Sequence, residues 1–191
     1  MAVEPLEEML GQLRRSLPAV PAVAGTAEMI PARKACFSGV VVAQAFHWFD
    51  APAALREIAR VMRPGGTLGI LFNIRDESVR WVAELTDLIE SRSGGRPYGE
   101  HRERPWGEVV AEDGRFDGAG SWQFDNPVPS SPAAVLERVR STSFVALMEP
   151  ESRAALLAEV ADLIASHPET TGRVHFDYPH RTDLQLWTLG D

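Results

Sequence analysis

Two largely apolar runs in the middle of the chain constrain its fold more than any other feature. Residues 39–46 and 67–73 are apolar on both faces, which is typical of strands buried in a parallel sheet. Between them, Asp50 is a candidate N-cap, and Pro64-Gly65-Gly66 ends a predicted helix. The inner face of that helix consists of Leu55, Ile58, Ala59 and Met62. Strand, helix and strand in this order predict an α/β fold with a right-handed crossover.

The length of the chain fits one domain with a sizeable core. It has 191 residues, of which 45% are hydrophobic and 24% are charged. This balance excludes a disordered or collagen-like chain and is typical of a globular protein. We expect a single domain over residues 1–191. Residues 92–120 are polar and rich in glycine and charge, and they are predicted to form a loop or insertion.

Charge and cysteine content exclude several classes of function. The formal net charge is −8, so a broad surface for nucleic acid or an anionic membrane is not expected. Cys36 is the one cysteine, which excludes an intrachain disulfide and a cysteine-based zinc cluster. No apolar stretch approaches the roughly 20 residues that span a bilayer. The first residues are acidic, unlike a secretory signal, so a cytoplasmic location is expected.

Apolar periodicity predicts further helices and strands on both sides of this central unit. Pro5 is placed in the first turn of an amino-terminal helix that ends at Ser16, and residues 19–24 are expected to be extended. The remaining predicted helices cover residues 79–90, 132–140 and 151–165, and the remaining strands include residues 122–124, 175–176 and 184–189. The last strand alternates apolar and polar residues, so an antiparallel edge is expected.

Several segments, taken in chain order, resemble a known family. The most specific stretch comprises residues 40–50 and 54–68. The other segments are Val3-Glu4-Pro5-Leu6, Gly25-Thr26-Ala27-Glu28 and Pro179-His180-Arg181-Thr182. Together they resemble class I S-adenosylmethionine-dependent methyltransferases, in particular the small-molecule enzymes related to the ubiquinone and menaquinone methyltransferases. The resemblance implies a Rossmann-like sheet, mostly parallel with an antiparallel edge, and methyl transfer to a small-molecule acceptor.

The same resemblance implies which residues hold S-adenosylmethionine. Glu4 matches the acidic residue that accepts the ribose hydroxyls, and Leu6 matches a residue that covers the adenine. Thr26 and Ala27 match the loop at the edge of the adenine. Gln44 lies at the carboxyl end of the predicted strand over residues 39–46, where open α/β sheets place ligands.

His47 is the candidate catalytic residue. It follows the same strand, and an unperturbed histidine pKa of about 6.5 permits proton uptake at neutral pH. A base is useful only when the acceptor oxygen or nitrogen arrives protonated. The alternative is a histidine packed in a loop and hydrogen-bonded to the backbone.

The sequence differs from the family in lacking the glycine-rich turn that follows the family's first strand. Only three residues precede Glu4, so we expect an N-terminally truncated fold that lacks the first strand and the first helix. Either the true start lies upstream, or the chain is a remnant. The second case gives the alternative function, a non-catalytic interaction or dimerisation module. The strand containing residues 40–45 would then have an open edge, which leads to a homodimer, to gap filling by residues 19–24, or to aggregation.

Three residues near the carboxyl end have a spacing that is compatible with metal binding, but the family resemblance accounts for one of them. His175 and Asp177 are two residues apart, which places them on one face of a strand, and His180 follows. No further ligand is evident nearby, and His180 belongs to the segment that resembles the family. No metal site is therefore predicted.

Overall fold

The computed structural model describes residues 1–93 and 106–190, and it has an α/β fold. The strands are β1 (Ala2–Glu4), β2 (Ala22–Ala24), β3 (Phe37–Ala43), β4 (Met62–Arg75), β5 (Phe116–Asp125), β6 (Val128–Ser130), β7 (Phe176–Tyr178) and β8 (His180–Leu189). The helices are α1 (Glu7–Ser16), a 3-10 helix (Phe46–Trp48), α2 (Ala51–Val61), α3 (Arg80–Ser93), α4 (Trp106–Asp113), α5 (Pro132–Arg140), α6 (Ser143–Ala146) and α7 (Pro150–Ser166).

The described strands form three sheets. The largest has the order β3-β4-β8-β5, and β1-β2 and β6-β7 are separate pairs. β3 and β4 are parallel, with Val40 opposite Leu68 and Val42 opposite Ile70, and α2 connects them. β1 and β2 are also parallel, whereas β6 and β7 are antiparallel. The central strand–helix–strand prediction is therefore confirmed, and the sheets are mixed, as expected for the predicted fold class.

The described chain divides into two compact units. The first contains residues 1–72, 106–122 and 184–190, and the second contains residues 73–93 and 123–183. Each unit has its own apolar core. The core of the first includes Phe46, Leu55 and Ile70, and the core of the second includes Trp81 and Leu156. The expectation of one domain over the whole chain stays a prediction.

Several predicted boundaries differ from the structure. The helix predicted to end at Pro64-Gly65-Gly66 ends at Val61, and these three residues belong to β4. The strand predicted over residues 39–46 ends at Ala43, since Gln44 adopts a left-handed φ of +54°. Phe46 belongs to the 3-10 helix instead of the strand. Pro5 lies outside α1, whose N-cap is Leu6 in an extended conformation.

Two further expectations require correction. Residues 22–24 do not fill a gap beside β3, because they form β2 and pair with β1. The segment predicted as a loop, residues 92–120, contains α4 and the first half of β5. The apolar side chains Val110 and Phe116 in this segment are buried, which explains its regular structure. Residues 94–105 of that segment lie outside the described chain.

Candidate functional site

Glu4 and Leu6 lie where β1 meets α1. Glu4 is the last residue of β1, and its Oε1 accepts a hydrogen bond of 2.9 Å from the backbone N–H of Leu6. This bond holds the carboxylate at the carboxyl end of the strand. The Leu6 side chain is exposed. An acidic group and an exposed apolar side chain are thus adjacent at the end of a parallel strand.

The loop after β2 is held beside Glu4. Glu4 is opposite Ala24 in the parallel pair, and the N–H of Gly25 donates to the carbonyl of Glu4 at 3.4 Å. Thr26 follows directly, and its carbonyl accepts a hydrogen bond of 3.3 Å from the N–H of Met29, which closes a tight turn. The structure therefore brings the loop that carries Thr26 and Ala27 to the strand end that carries Glu4. Together with Leu6, these three residues make up four of the five that the sequence predicts to bind a cofactor.

Close packing explains why glycine occupies position 25. A Cβ atom there would lie 2.8 Å from the Pro31 ring and 3.1 Å from the Val3 side chain. The first distance is shorter than Cβ contacts in proteins, so a larger residue here would force the Pro31 ring or the loop to move. Gly25 thus positions the loop next to the end of β1.

Gln44, directly after the last residue of β3, has a strained conformation. Its φ of +54° lies in the left-handed region that non-glycine residues rarely adopt. The N–H of Gln44 donates to the carbonyl of Leu71 at 2.9 Å, so the residue remains attached to β4. Strain of this kind often occurs at functional sites. Because β1 and β3 belong to different sheets, Gln44 and Glu4 are positioned by separate strand pairs.

His47 belongs to a group of aromatic side chains near the carboxyl ends of β3 and β4. Its ring centre lies 4.9 Å from that of Trp48 and 5.7 Å from that of Phe72. Phe72 stacks on Trp106 at 5.8 Å, with 14° between the ring planes. We refer to His47, Trp48, Phe72 and Trp106 as the aromatic rim. The sequence placed His47 near a strand end, but it gave no signal for the contribution of Trp106 from a distant segment.

Phe46 anchors the aromatic rim to the core of the first unit. It is fully buried, and its ring meets Trp106 edge-on at 5.2 Å and Phe49 at 5.8 Å. The alternation of a buried Phe46 with a half-buried His47 follows from the short 3-10 helix, in which each residue turns the next side chain to a new direction. The local fold therefore directs His47 away from the core.

A half-buried ion pair fixes the segment between β2 and β3. Glu57 accepts two hydrogen bonds of 2.7 Å from Arg60 and one of 2.9 Å from the N–H of Ile30. Arg60 also donates to the carbonyl of Ile30 at 3.1 Å. The bonds from Arg60, followed by that from Ile30, hold the pKa of Glu57 below its ordinary value against the opposing effect of burial. These bonds tie the segment to α2, and no local sequence pattern indicates them.

A polar network lies in the second unit, at the end of β4. Asn73 Oδ1 accepts hydrogen bonds from Thr182 Oγ1 at 2.6 Å and from Asn126 Nδ2 at 3.3 Å. Asp76 accepts hydrogen bonds from the N–H and the hydroxyl of Ser78. The bond from the hydroxyl contributes most to lowering the pKa of Asp76. Asp76 therefore stabilises the turn before α3.

The candidate metal residues are not assembled into a metal site. Within residues 1–93 and 106–190, no group of three or more His, Cys, Asp or Glu side chains is placed to hold a metal ion. His180 is buried, and its Nδ1 lies 2.9 Å from the carbonyl of Tyr178. His175, by contrast, is exposed. The buried position of His180 fits a role in packing the start of β8.

Comparison with known proteins supplies the family. A family model described as a methyltransferase domain matches residues 1–70. An uncharacterized methyltransferase of Mycobacterium tuberculosis is 38% identical over 189 residues, which is 99% of this chain and 74% of the relative. The fold and these matches define a methyltransferase. The chain belongs to the methyltransferase domain family, and methyltransferase is accordingly its general activity class.

Solved structures agree with this assignment at the level of the fold. A protein from Anaeromyxobacter dehalogenans, provisionally named a type II methyltransferase, has a TM-score of 0.63 and 23% identity, with 99% of this chain and 78% of that chain covered. A provisionally named methyltransferase from Bacillus halodurans has a TM-score of 0.62 and 19% identity, with 100% and 82% covered. Among the helices in the described part of the chain, none combines the length and apolar character needed to cross a membrane.

Proposed function

We propose that this chain transfers a methyl group from S-adenosylmethionine to a small molecule, like the ubiquinone- and menaquinone-related enzymes that its sequence resembles. The observation that carries the proposal is the meeting of Glu4 with the loop after β2, through the bond from Gly25. This places a carboxylate, an exposed apolar side chain and a tight turn at the carboxyl end of two parallel strands, where α/β sheets bind nucleosides.

These residues fit the nucleoside half of the cofactor. Glu4 would accept hydrogen bonds from the ribose hydroxyls, and the exposed Leu6 side chain would cover one face of the adenine. Thr26 and Ala27 would present polar and backbone groups to the edge of the adenine, and Gln44 would bind from the end of β3. When bound, the cofactor supplies an electrophilic methyl group on a sulfonium sulfur.

His47 would act on the acceptor. A hydroxyl or amine must lose its proton as it is methylated, and a neutral imidazole can take up that proton. The protein otherwise contributes mainly alignment of the two reactants. The position of His47 between Trp48 and Phe72, with ring centres 4.9 Å and 5.7 Å away, restricts the orientation of its ring.

Calorimetric titration of the full chain with S-adenosylhomocysteine tests the cofactor assignment. Glu4→Gln should weaken binding by about tenfold or more, because it removes the charge from bonds to both ribose hydroxyls. The amide oxygen can still accept the bond from Leu6, so the local fold is retained. Glu7→Gln, at an exposed acidic residue in the first turn of α1, is the matched control and should leave binding unchanged.

Two results would contradict the proposed function. The first is an absence of heat at high protein concentration with the unmodified chain. The second is an equal loss of affinity in the Glu4 and Glu7 variants, which would indicate a general effect of charge on the first residues rather than a specific contact.

A second candidate function is a non-catalytic interaction module that forms a homodimer through β3. In the four-stranded sheet, β3 is an end strand whose neighbour is β4. It contains no charged residue, and Val41 is 69% exposed. Uncharged, apolar end strands offer unpaired backbone groups to a second chain. We propose that two copies of the chain form a homodimer by pairing their β3 strands.

Light scattering over a concentration series tests the homodimer. The unmodified chain should approach twice the monomer mass, and Val41→Lys should shift it toward the monomer because a charged edge opposes pairing. Met29→Lys, at another exposed apolar residue outside the strands, is the control and should leave the measured mass unchanged. A monomer at all concentrations, with slowly exchanging amides of Val40 and Val42, would contradict this candidate.

A further inference from the structure

An open cavity in the second unit shares no residue with the candidate site. Its volume is about 620 Å³, and its lining comes from β6, the start of α5 and the segment that leads into β7. All of these segments lie within residues 123–183 of the second unit. Pockets that hold small molecules have volumes of about 300–1,000 Å³, so this cavity has room for such a ligand.

Two backbone features hold the segments that line the cavity. β6 and β7 pair with Pro129 opposite Asp177. After α7, Gly172 has a left-handed φ of +68°, and the N–H of Arg173 donates to the carbonyl of Thr170 at 3.1 Å. The buried Thr170 hydroxyl donates to the carbonyl of Ile164 at 2.7 Å, which attaches this turn to the end of α7. Arg173 is therefore delivered to the cavity by a turn that is fixed to a helix.

Three ionisable side chains that line the cavity are not used by the fold. They are Arg173, His175 and Asp177, and all three residues are exposed. Within residues 1–93 and 106–190, their side chains form no hydrogen bond or ion pair, either with one another or with other residues. Opposite charges that line one cavity without pairing are available to a ligand.

The cavity also has an apolar part, which consists of Pro129 and Phe176. Phe176 is half-buried, and its ring meets that of Trp81 edge-on, with ring centres 5.6 Å apart and 87° between the planes. Trp81 is buried in the core of the second unit, so it limits the movement of the Phe176 ring. A fixed aromatic ring beside a proline offers contact area to an apolar group of a ligand.

We propose that this cavity binds a free α-amino acid with a large apolar side chain, as a ligand distinct from the methyl donor and the methyl acceptor. The planar guanidinium of Arg173 binds the carboxylate through two parallel N–H···O bonds, and His175 adds an N–H donor. Asp177 accepts hydrogen bonds from the α-ammonium group. The apolar side chain of the ligand packs against Phe176 and Pro129.

The charges that line the cavity disfavour the two simpler ligand classes. A phosphate group would be attracted by Arg173 but repelled by the Asp177 carboxylate, and a simple cation would be repelled by Arg173. A zwitterion places each of its charges next to the opposite one. Both charged side chains then contribute to binding, which neither a phosphate nor a simple cation permits.

Three probes with the same phenyl group test the two charges of the ligand separately. L-Phenylalanine carries both charges, 3-phenylpropanoate lacks the ammonium group, and 2-phenylethylamine lacks the carboxylate. In ligand-observed NMR titrations of the full chain, L-phenylalanine should bind about tenfold more tightly than either, since each charge-assisted hydrogen bond adds to the affinity. Absence of L-phenylalanine binding at millimolar concentration, or tighter binding of inorganic phosphate, would overturn the proposal.

Two variants test which side chain binds which charge. Arg173→Gln should weaken the binding of L-phenylalanine and 3-phenylpropanoate about tenfold and should not weaken that of 2-phenylethylamine. Asp177→Asn should weaken the binding of L-phenylalanine and 2-phenylethylamine about tenfold and should not weaken that of 3-phenylpropanoate. Because neither side chain bonds within the described part of the chain, both variants should unfold at the temperature of the unmodified chain.

The matched controls remove the same charges elsewhere. Arg33→Gln and Asp162→Asn change exposed residues that do not line the cavity, and both should retain the affinity for all three probes. An equal loss of affinity in a cavity variant and its control would overturn the assignment to this cavity. Loss of all three probes in each cavity variant, without the expected selectivity, would overturn the assigned roles of Arg173 and Asp177.

This inference and the proposed methyl transfer can fail separately. Glu4→Gln should leave the affinity for L-phenylalanine unchanged, because Glu4 belongs to the first unit and does not line the cavity. A loss of L-phenylalanine affinity in this variant would place the amino acid at the candidate site and overturn the proposal. Absence of S-adenosylhomocysteine binding would contradict only the proposed methyl transfer.

Discussion

Gln44 shows how a single backbone angle separates the strand from the candidate site. A continuous strand would place residues 44–46 in the sheet, but the φ of +54° at Gln44 turns the chain into the 3-10 helix. Glycine and asparagine are the residues that commonly signal such a turn in a sequence, and glutamine does not. The sequence therefore predicted the strand and its direction, but it could not predict where the strand ends.

Substitutions at Gln44 should reveal this strain. Gln44→Val should destabilise the fold by about 1–2 kcal/mol, because a β-branched residue is poorly accommodated at positive φ. Gln44→Asn should remain within about 0.5 kcal/mol of the unmodified chain, because asparagine tolerates this conformation. Urea unfolding measures both. Equal stability of the two variants would show that the backbone conformation at this position carries no cost.

His180 should make stability depend on pH. Burial lowers its pKa, and the charges of Arg138 and Arg75 add to this effect against the bond with the Tyr178 carbonyl. The unfolded chain, with a histidine pKa of about 6.5, then binds the proton more readily. The stability from neutral His180 is thus present above about pH 6.5 and is lost as the pH falls through the folded-state pKa.

NMR titration of the imidazole proton signals checks this prediction directly. The midpoint for His180 should lie below about 6.5. In unfolding experiments, His180→Gln should reduce the loss of stability between about pH 7 and pH 5, whereas substitution of the exposed His175 should leave it unchanged. A midpoint at or above the ordinary histidine value would contradict the prediction.

At the scale of elements, the Glu57–Arg60 pair should matter more than other ion pairs on helices. Glu57→Ala should cost about 1–3 kcal/mol, because it removes the partner of both Arg60 and the Ile30 N–H. Glu137→Ala removes the partner of Arg140 in a more exposed pair with the same spacing, and it should cost less than about 0.5 kcal/mol. Thermal unfolding compares the two, and similar losses would show that Glu57 does not anchor the segment.

Elements whose pattern is local were predictable, and those that depend on distant contacts were not. Asp50 caps α2 as expected, since the Asp50 carboxylate accepts a bond of 3.2 Å from the N–H of Ala53. α4 was missed because its surroundings are polar, and its buried Val110 gains an apolar partner only when the chain has folded. The tie between Glu57 and Ile30 spans 27 residues, which no local pattern reports.

At the scale of the whole molecule, each unit should respond mainly to its own core. Leu55 belongs to the core of the first unit and Leu156 to that of the second, and both are 1% exposed. Either residue replaced by alanine should cost about 2–5 kcal/mol. Hydrogen exchange should become faster chiefly within the unit that carries the substitution. Equal acceleration in both units by each variant would contradict this prediction.

The candidate site was only partly predictable at this scale. Glu4, Thr26 and Ala27 were expected from the resemblance, and the parallel pair β1–β2 does bring them together. The aromatic rim was not expected as a unit, because it joins residues more than fifty positions apart. A sequence indicates which residues follow a strand, but not which side chains from later segments will face them.

The division of the chain has a consequence for how it can be cut. The polypeptide passes from one unit to the other four times. In the sequence, the segments of the first unit lie on both sides of those of the second, so any single cleavage between residues 73 and 183 places the two ends of the first unit in different fragments. The core of the first unit therefore cannot be obtained as a contiguous fragment that omits the second unit.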